Sequence, residues 1–323
     1  MSMEVEAPQG VMPLQAAVVG VGAFGRHHAR IYREMALQGV QLVGLVDVDM
    51  GGEGPRAVAA ALDVPLVASI EELPVPPDVV SIAVPTGQHR YVAEPLLERG
   101  VHCLIEKPIG GTARDAEALV AAATRGGAFL QVGMVERFNP VTEAARELAL
   151  RPRYIEVHRL TPHSGRASDV GVVLDLMIHD LDLVNHLVGE EAVGVEATGV
   201  TVVGPHEDVA NARITYPSGC VASVTASRVA DRRVRRLRMF GPEGCVSLDY
   251  DRREAHVVRS TDGVLETERL PVREREPLRA ELDALVRTVR GDGCPHASGA
   301  EGVRAVALAE RVLGGIHSGS ARN

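Results

Sequence analysis

The sequence has no tryptophan, and aromatic residues make up only 3% of its 323 positions. Its cores must therefore be packed with Val, Leu, Ile and Ala, the composition of buried parallel sheets. The four cysteines, Cys103, Cys220, Cys245 and Cys294, lie far apart without a C-x-x-C. They indicate neither a zinc site nor a disulfide framework and fit a reducing cytoplasm. A basic surplus is missing too: the formal net charge is −9, which argues against general binding to nucleic acid or an anionic membrane. No uninterrupted apolar stretch reaches the roughly 18 residues that a membrane helix requires. Residues 1–13 lack the basic and apolar regions of a secretion signal and read as a loose tail. No internal repeat or low-complexity tract is visible. What is present is an ordinary globular composition, 46% hydrophobic and 24% charged, in a length that suits two domains.

The chain is organised around Ala16 to His28, A-A-V-V-G-V-G-A-F-G-R-H-H. An apolar strand-like run that ends in Gly20-Val21-Gly22-Ala23-Phe24-Gly25 and opens into a helical pattern is the fingerprint of a dinucleotide fold. Gly20 permits the tight turn, Gly22 lets the backbone approach a pyrophosphate, and Gly25 allows helix to pack on strand. The unpaired amides at the helix start, around Ala23 and Phe24, then face the phosphates. A glycine turn of purely structural use is the competing reading. Against it, a second apolar run, Gln41 to Val46, ends in Asp47, roughly 20 residues beyond the last glycine, where a carboxylate accepts from ribose hydroxyls. Asp47, with Asp49 nearby, would repel a 2′-phosphate, so NAD is expected over NADP.

Farther on, Asp78 to Val84 reads as a buried strand, Gln88 to Arg99 as a helix stopped by Gly100, and Val101 to Ile105 as the next strand. This alternation predicts an α/β fold with a doubly wound parallel sheet whose ligand lies at the carboxyl ends of the strands. Thr86 and Glu106 sit at such ends. Lys107 follows directly and is fixed by Pro108; position alone also fits a surface lysine before a turn.

Taken together, V-G-V-G-A-F-G, P-T-G-Q-H at Pro85 to His89 and E-K-P at Glu106 to Pro108 resemble the Gfo/Idh/MocA family of NAD(P)-dependent sugar and inositol oxidoreductases. The resemblance covers essentially the whole chain after the tail. It implies an active-site role for Lys107 and cofactor contacts from Thr86, His89, Glu106 and Lys107 beside the glycine turn.

The segment Met134 to Pro140 closes the last strand of the first half, which gives a dinucleotide-binding Rossmann domain at 14–134 and a substrate-binding and oligomerisation domain at 135–323. Arg137 and Asn139 are placed for substrate contact, although Asn139 before Pro140 is equally a helix cap. Arg137, Arg159, Arg166, Arg228 and Arg232 could meet a diphosphate, since the planar guanidinium pairs bidentately with phosphate oxygens. The run Arg228 to Arg238 reads either as an anion site or as a solvated strand face.

Leu174 to Val188 reads as a mostly apolar helix closed by Gly189, with Asp175, His179, Asp182 and His186 on one stripe. Such a stripe could face water, hold a metal or line an active site. No further Cys, His or Glu cluster supports a metal, and none is expected. The D-x-x-x-H-x-x-D pattern resembles the same family, whose Asp and His complete a catalytic set with the E-K-P lysine. Met177 stands where many relatives have Gly. D-L-M-I-H-D-L-D-L together with V-E-R-F-N-P resembles the branch acting on UDP-N-acetylglucosamine at C3, which implies a nucleotide-sugar substrate.

Gly194 to Val203, Asn211 to Tyr216, Cys220 to Ser227, Val234 to Phe240 and Cys245 to Tyr250 read as strands of a large open, mostly antiparallel sheet, followed by helical patterns at Pro277 to Arg290 and Ala300 to Leu313. In the family such a sheet implies a homodimer or homotetramer. The resulting expectation is a cytoplasmic oxidoreductase that moves a hydride between a sugar carbon and NAD. His179 is its base, Asp175 a positioning group, and Lys107 the group on the reacting oxygen or itself the base. A dehydrogenase of another sugar or of inositol, an NAD-dependent glycosidase and a non-catalytic dinucleotide-binding regulator are the alternatives.

Overall fold

The computed structural model describes residues 12–148, 150–163, 170–293 and 296–320. Arg166, Cys294 and residues 1–11 of the expected tail lie outside them. The chain divides into two compact units. One runs up to Gly133 and takes in Leu278–Ala300; the other holds Met134–Pro277 and the chain from Glu301. The sequence reading kept 135–323 together, whereas Leu278–Ala300 returns to the first unit. Its apolar face is the reason: Leu282, Leu285 and Val286 are buried in the first unit's core.

The first unit is a six-stranded parallel sheet. Its strands are β1 (Leu14–Val19), β2 (Val40–Val46), β3 (Leu66–Val67), β4 (Val79–Ile82), β5 (His102–Glu106) and β6 (Leu130–Gly133), in the order β3-β2-β1-β4-β5-β6. Ala16, Ala17 and Val18 of β1 and all of β4 are buried, as expected for strands covered on both faces. The covering helices are α1 (Gly25–Glu34), α2 (Glu53–Leu62), α3 (His89–Glu98) and α4 (Ala113–Gly126). Thr112 caps α4 by accepting from the Asp115 amide at 3.1 Å. The strand order reverses between β1 and β4, and there the carboxyl ends open a crevice.

In the second unit, β7 (Tyr154–Leu160), β8 (Gly194–Val200), β9 (Val209–Thr215), β10 (Val221–Ser227), β11 (Val234–Gly241), β12 (Gly244–Asp249), β13 (Glu254–Thr261) and β14 (Val264–Arg269) form one sheet. The order is β14-β13-β12-β11-β7-β10-β9-β8; only the β7–β10 pair is parallel. Helices α5 (Pro140–Arg146), α6 (Ile178–Val188) and α8 (Gly299–Ser320) belong largely to this unit, while α7 (Pro277–Val289) supplies the buried leucines of the first. The strand pattern legible in the sequence starts at Gly194, whereas the sheet's central strand, β7, precedes it.

Period-two burial along β7 explains its electrostatics. Ile155, Val157 and Arg159 share the buried face, so the guanidinium enters an apolar core and must find counter-charge. It donates to both Asp180 carboxylate oxygens, at 2.8 and 2.6 Å, and to Glu136 at 3.2 Å. Burial would lower the Arg159 pKa, but Asp180 holds it above its ordinary value. In the neighbouring run Arg228 to Arg238, of which only residues 234–238 lie on β11, five of the six arginines pair with carboxylates. Arg228 pairs with Asp208, Arg233 with Asp251, Arg235 with Glu136, Arg236 with Asp249 and Arg238 with Glu156.

Arg159→Met leaves Asp180 buried without its main counter-ion and is expected to cost about 3–5 kcal/mol in urea unfolding. The double change Arg159→Met with Asp180→Leu should recover most of that loss. Equal losses in single and double variants would show that side-chain volume, not charge pairing, joins β7 to α6.

Candidate active site

At the first crevice, sterics choose the residues. Gly20 has φ +84°, and a Cβ on Gly25 would lie 1.8 Å from the Gly20 carbonyl oxygen, so α1 seats on the turn only with glycine at both points. A Cβ on Gly22 would meet nothing within 4 Å; that side of the turn is open. Ala23 and Phe24 are exposed beside it, and the first turn of α1 carries neither a side-chain cap nor an acid. Asp47 ties the turn to β2: one carboxylate oxygen accepts from the Val21 amide at 2.7 Å and the other from the Asp49 amide at 2.9 Å.

The crevice measures about 910 Å³. Gly20, Gly22 and Asp47 line it together with apolar wall residues such as Val46, Val84 and Pro95, and with Ser69, Tyr91 and Arg99, which sequence reading did not single out. A glycine edge open to a pyrophosphate, a carboxylate for ribose hydroxyls and an apolar wall for an adenine fit NAD. Thr86 opens a short 3-10 turn, Thr86–Gln88, just past β4.

The E-K-P segment leaves β5 and is gripped from two sides. His89, expected at the cofactor, is 1% exposed. Its Nδ1 lies 2.9 Å from the Pro108 carbonyl oxygen and its Nε2 2.9 Å from that of Val84. Both ring nitrogens are thus occupied by backbone, and His89 pins the segment rather than reaching a ligand. Burial pushes its pKa down, against the two carbonyls and Glu106, which favour the protonated ring. Glu106, also expected at the cofactor, points inward: its carboxylate meets His28 Nε2 at 3.0 Å and the Lys107 amide at 3.3 Å. Behind His28, Nδ1 lies 3.1 Å from Ser81 Oγ, which is 2.9 Å from the Tyr32 hydroxyl. Sequence reading included His28 in its opening run without a role and missed Ser81 and Tyr32. The available signal was spacing: His28 stands three residues after Gly25, and Tyr32 one helical turn beyond it.

In the second unit the expected single helix begins as a π-helical turn, Val173–Met177, before α6. Asp175 lies in that turn and His179 in the first turn of α6; both are half-buried. The expected stripe is divided. Asp182, 2% exposed, takes two bonds of 2.6 Å from Arg137, which also pairs with Glu301. Burial raises the Asp182 carboxyl, and the Arg137 guanidinium beside it pulls the other way. Arg137, expected at the substrate, is therefore committed to the protein interior, as are Arg159 and Arg228. Asp180, absent from the expected stripe, faces the other way onto Arg159. Asn139 caps α5, accepting from the Val141 amide at 3.2 Å. Among the described residues no cluster of three His, Cys, Asp or Glu could hold a metal.

Comparison with known proteins places these features in context. Residues 14–134 match the model of an oxidoreductase family with an NAD-binding Rossmann fold, Gfo/Idh/MocA, and residues 151–247 match the Gfo/Idh/MocA C-terminal domain. The chain is 35% identical over 306 residues to UDP-N-acetylglucosamine 3-dehydrogenase of Acidithiobacillus ferrooxidans, spanning 93% of this chain and 96% of that one. A solved structure of that enzyme superposes with a TM-score of 0.88 at 34% identity, over 95% of this chain and 99% of the other. Inositol 2-dehydrogenase of Rhizobium meliloti is 26% identical over 322 residues, 94% of this chain and 96% of its own.

The glycine turn yields a paired test. Gly25→Ala drives a methyl into the Gly20 carbonyl and is expected to lower the thermal midpoint by several degrees. Gly22→Ala should leave the midpoint unchanged while weakening NAD binding in calorimetry, since its methyl enters the open side. Unchanged NAD affinity in Gly22→Ala would remove the glycine edge from cofactor recognition.

Proposed function

The chain belongs to the Gfo/Idh/MocA family of NAD-dependent oxidoreductases, and on that premise we propose that it oxidises UDP-N-acetylglucosamine at C3 of the sugar. The observation that carries this reading is the 35% identity, over 93% of the chain, to an enzyme named for that reaction. Bound NAD supplies the hydride acceptor. The chain's own residues handle the proton and the developing charge. His179 takes the proton of the reacting hydroxyl, a task suited to a neutral imidazole near its working pH. Asp175 orients His179 and the sugar. Lys107 holds the reacting oxygen, where an ammonium favours the alkoxide that forms as hydride departs.

Composition adds support for Lys107. It is the only lysine in the chain, among 34 Lys and Arg residues. Arginine serves at every other such cationic position, and it is a planar fork that does not give up its proton; lysine is a compact charge that can. A strand-end surface position needs no such distinction, whereas a reacting oxygen does.

Of the arginines expected at the diphosphate, Arg137, Arg159 and Arg228 are spent on carboxylates, which leaves Arg232 among the described residues. Asp47 favours NAD over NADP because a 2′-phosphate would meet its negative charge. The reading carries with it a cytoplasmic homodimer or homotetramer. Edge strand β14 leaves Val264 and Leu265 63% and 73% exposed, a surface a second copy would cover. Among the described residues no helix is long and apolar enough to cross a membrane.

Oxidation of an alcohol by NAD is uphill at neutral pH, so the assay couples the ketone to a trap. UDP-N-acetylglucosamine deuterated at C3 should pass its label to NADH, and UDP-glucose and inositol serve as competitors. Turnover of inositol with none of either UDP-sugar would overturn the nucleotide-sugar assignment; NADH without label would overturn C3. Lys107→Arg and His179→Ala should each lower kcat by roughly 10²-fold or more with NAD binding retained. Full activity in either variant would remove that residue from the chemistry.

A further inference from the structure

We propose that His28, backed by Ser81 and Tyr32, positions Lys107 by fixing the Glu106 carboxylate on which the lysine's backbone rests. The inference rests on the reading that Lys107 acts on substrate. His28, Ser81 and Tyr32 are each 0% exposed, and they come from α1, β4 and α1 to meet the end of β5. Hydrogen-bond direction orders the chain. A Glu106 carboxylate can only accept, which puts the proton of a neutral His28 on Nε2 and leaves Nδ1 to accept from Ser81, whose Oγ is then free to accept from the Tyr32 hydroxyl. Every donor points toward the carboxylate, an arrangement in which each bond strengthens the next.

The carboxylate is held sterically as well. A Cβ on Gly133 would lie 2.9 Å from the Glu106 carboxyl atoms, so glycine at the end of β6 leaves the room that the carboxylate fills. One Glu106 oxygen faces His28 and the other accepts the Lys107 amide, while His89 holds the Pro108 carbonyl on the far side. The residue that acts is thus clamped before and after itself. A polar network used only for folding would not need to end on the residue adjoining the lysine. Three donors sunk in an apolar layer are costly unless every member is satisfied.

Because the chain has one lysine, acylation with a trace of acetic anhydride across a pH series, read by mass spectrometry, reports on Lys107 alone apart from the terminal amine. The titratable groups facing the network are Cys103 and Glu281 beside Tyr32, and His89 near Glu106; all stay intact in the variants used. His28→Leu removes the donor and is expected to lower kcat about tenfold, with KM for NAD within about twofold. It should also displace the midpoint of Lys107 acylation. His28→Gln, which keeps an N–H at that reach, should restore most of both. Tyr32→Phe deletes only a hydroxyl and should shift the midpoint the same way, by less. Wild-type midpoints in His28→Leu and Tyr32→Phe would overturn the proposal. Should the wild-type protein oxidise none of the sugars, the parent reading fails, and the acylation midpoints still decide whether His28 governs Lys107.

Discussion

The second unit depends on carboxylates that follow guanidinium groups into its interior. Arg137 and Arg159 are 7% and 5% exposed, and Asp182 and Asp180 are 2% and 1% exposed. Each pair is bidentate, so it constrains direction as well as distance. Asp180 and Asp182 lie on different sides of α6, and the helix can satisfy both arginines in only one rotation and one register. Asp175 and His179 inherit their placement from that solution. A helix held by apolar packing alone could slide by part of a turn at little cost. Held by two charge pairs, it cannot.

Such pairs explain where sequence reading succeeds and where it does not. The glycine turn is readable because its constraints are local: Gly20, Gly22 and Gly25 act within six residues, and Asp47 closes the next strand. The crossover order of the first sheet follows from apolar runs separated by helical patterns. Arg137 and Asp182, by contrast, are 45 residues apart, and Arg159 and Asp180 are 21 apart. Nothing in their spacing reveals that these arginines are consumed internally instead of facing a ligand. β7 escapes for a related reason, since its inward arginine breaks the apolar alternation that marks a strand. His28 sits in R-H-H, where only the rotation of α1 decides which histidine is buried.

Arginine and lysine divide the labour. Arginine carries structural charge in this chain, from the buried anchors of α6 to the paired face of β11. The one lysine stands just past the end of β5, held through its neighbours by a histidine on either side. The first unit therefore devotes several buried polar groups to a single turn, and its cofactor crevice is shaped mainly by apolar walls and glycine.

The first unit is also assembled from two pieces of chain that are distant in sequence. Its core buries Leu282, Leu285 and Val286 against residues such as Ala16, Tyr32 and Met35 of the opening segment. During synthesis from the N-terminus, β1 to β6 emerge early, but the core that α1 and α2 begin on that face stays incomplete until α7 has been made. The whole of the second unit's sheet is synthesised in the interval. The nucleotide-binding unit is begun first yet cannot be completed until nearly the entire polypeptide exists, so a chain truncated before α7 would carry the full glycine turn on an unfinished core.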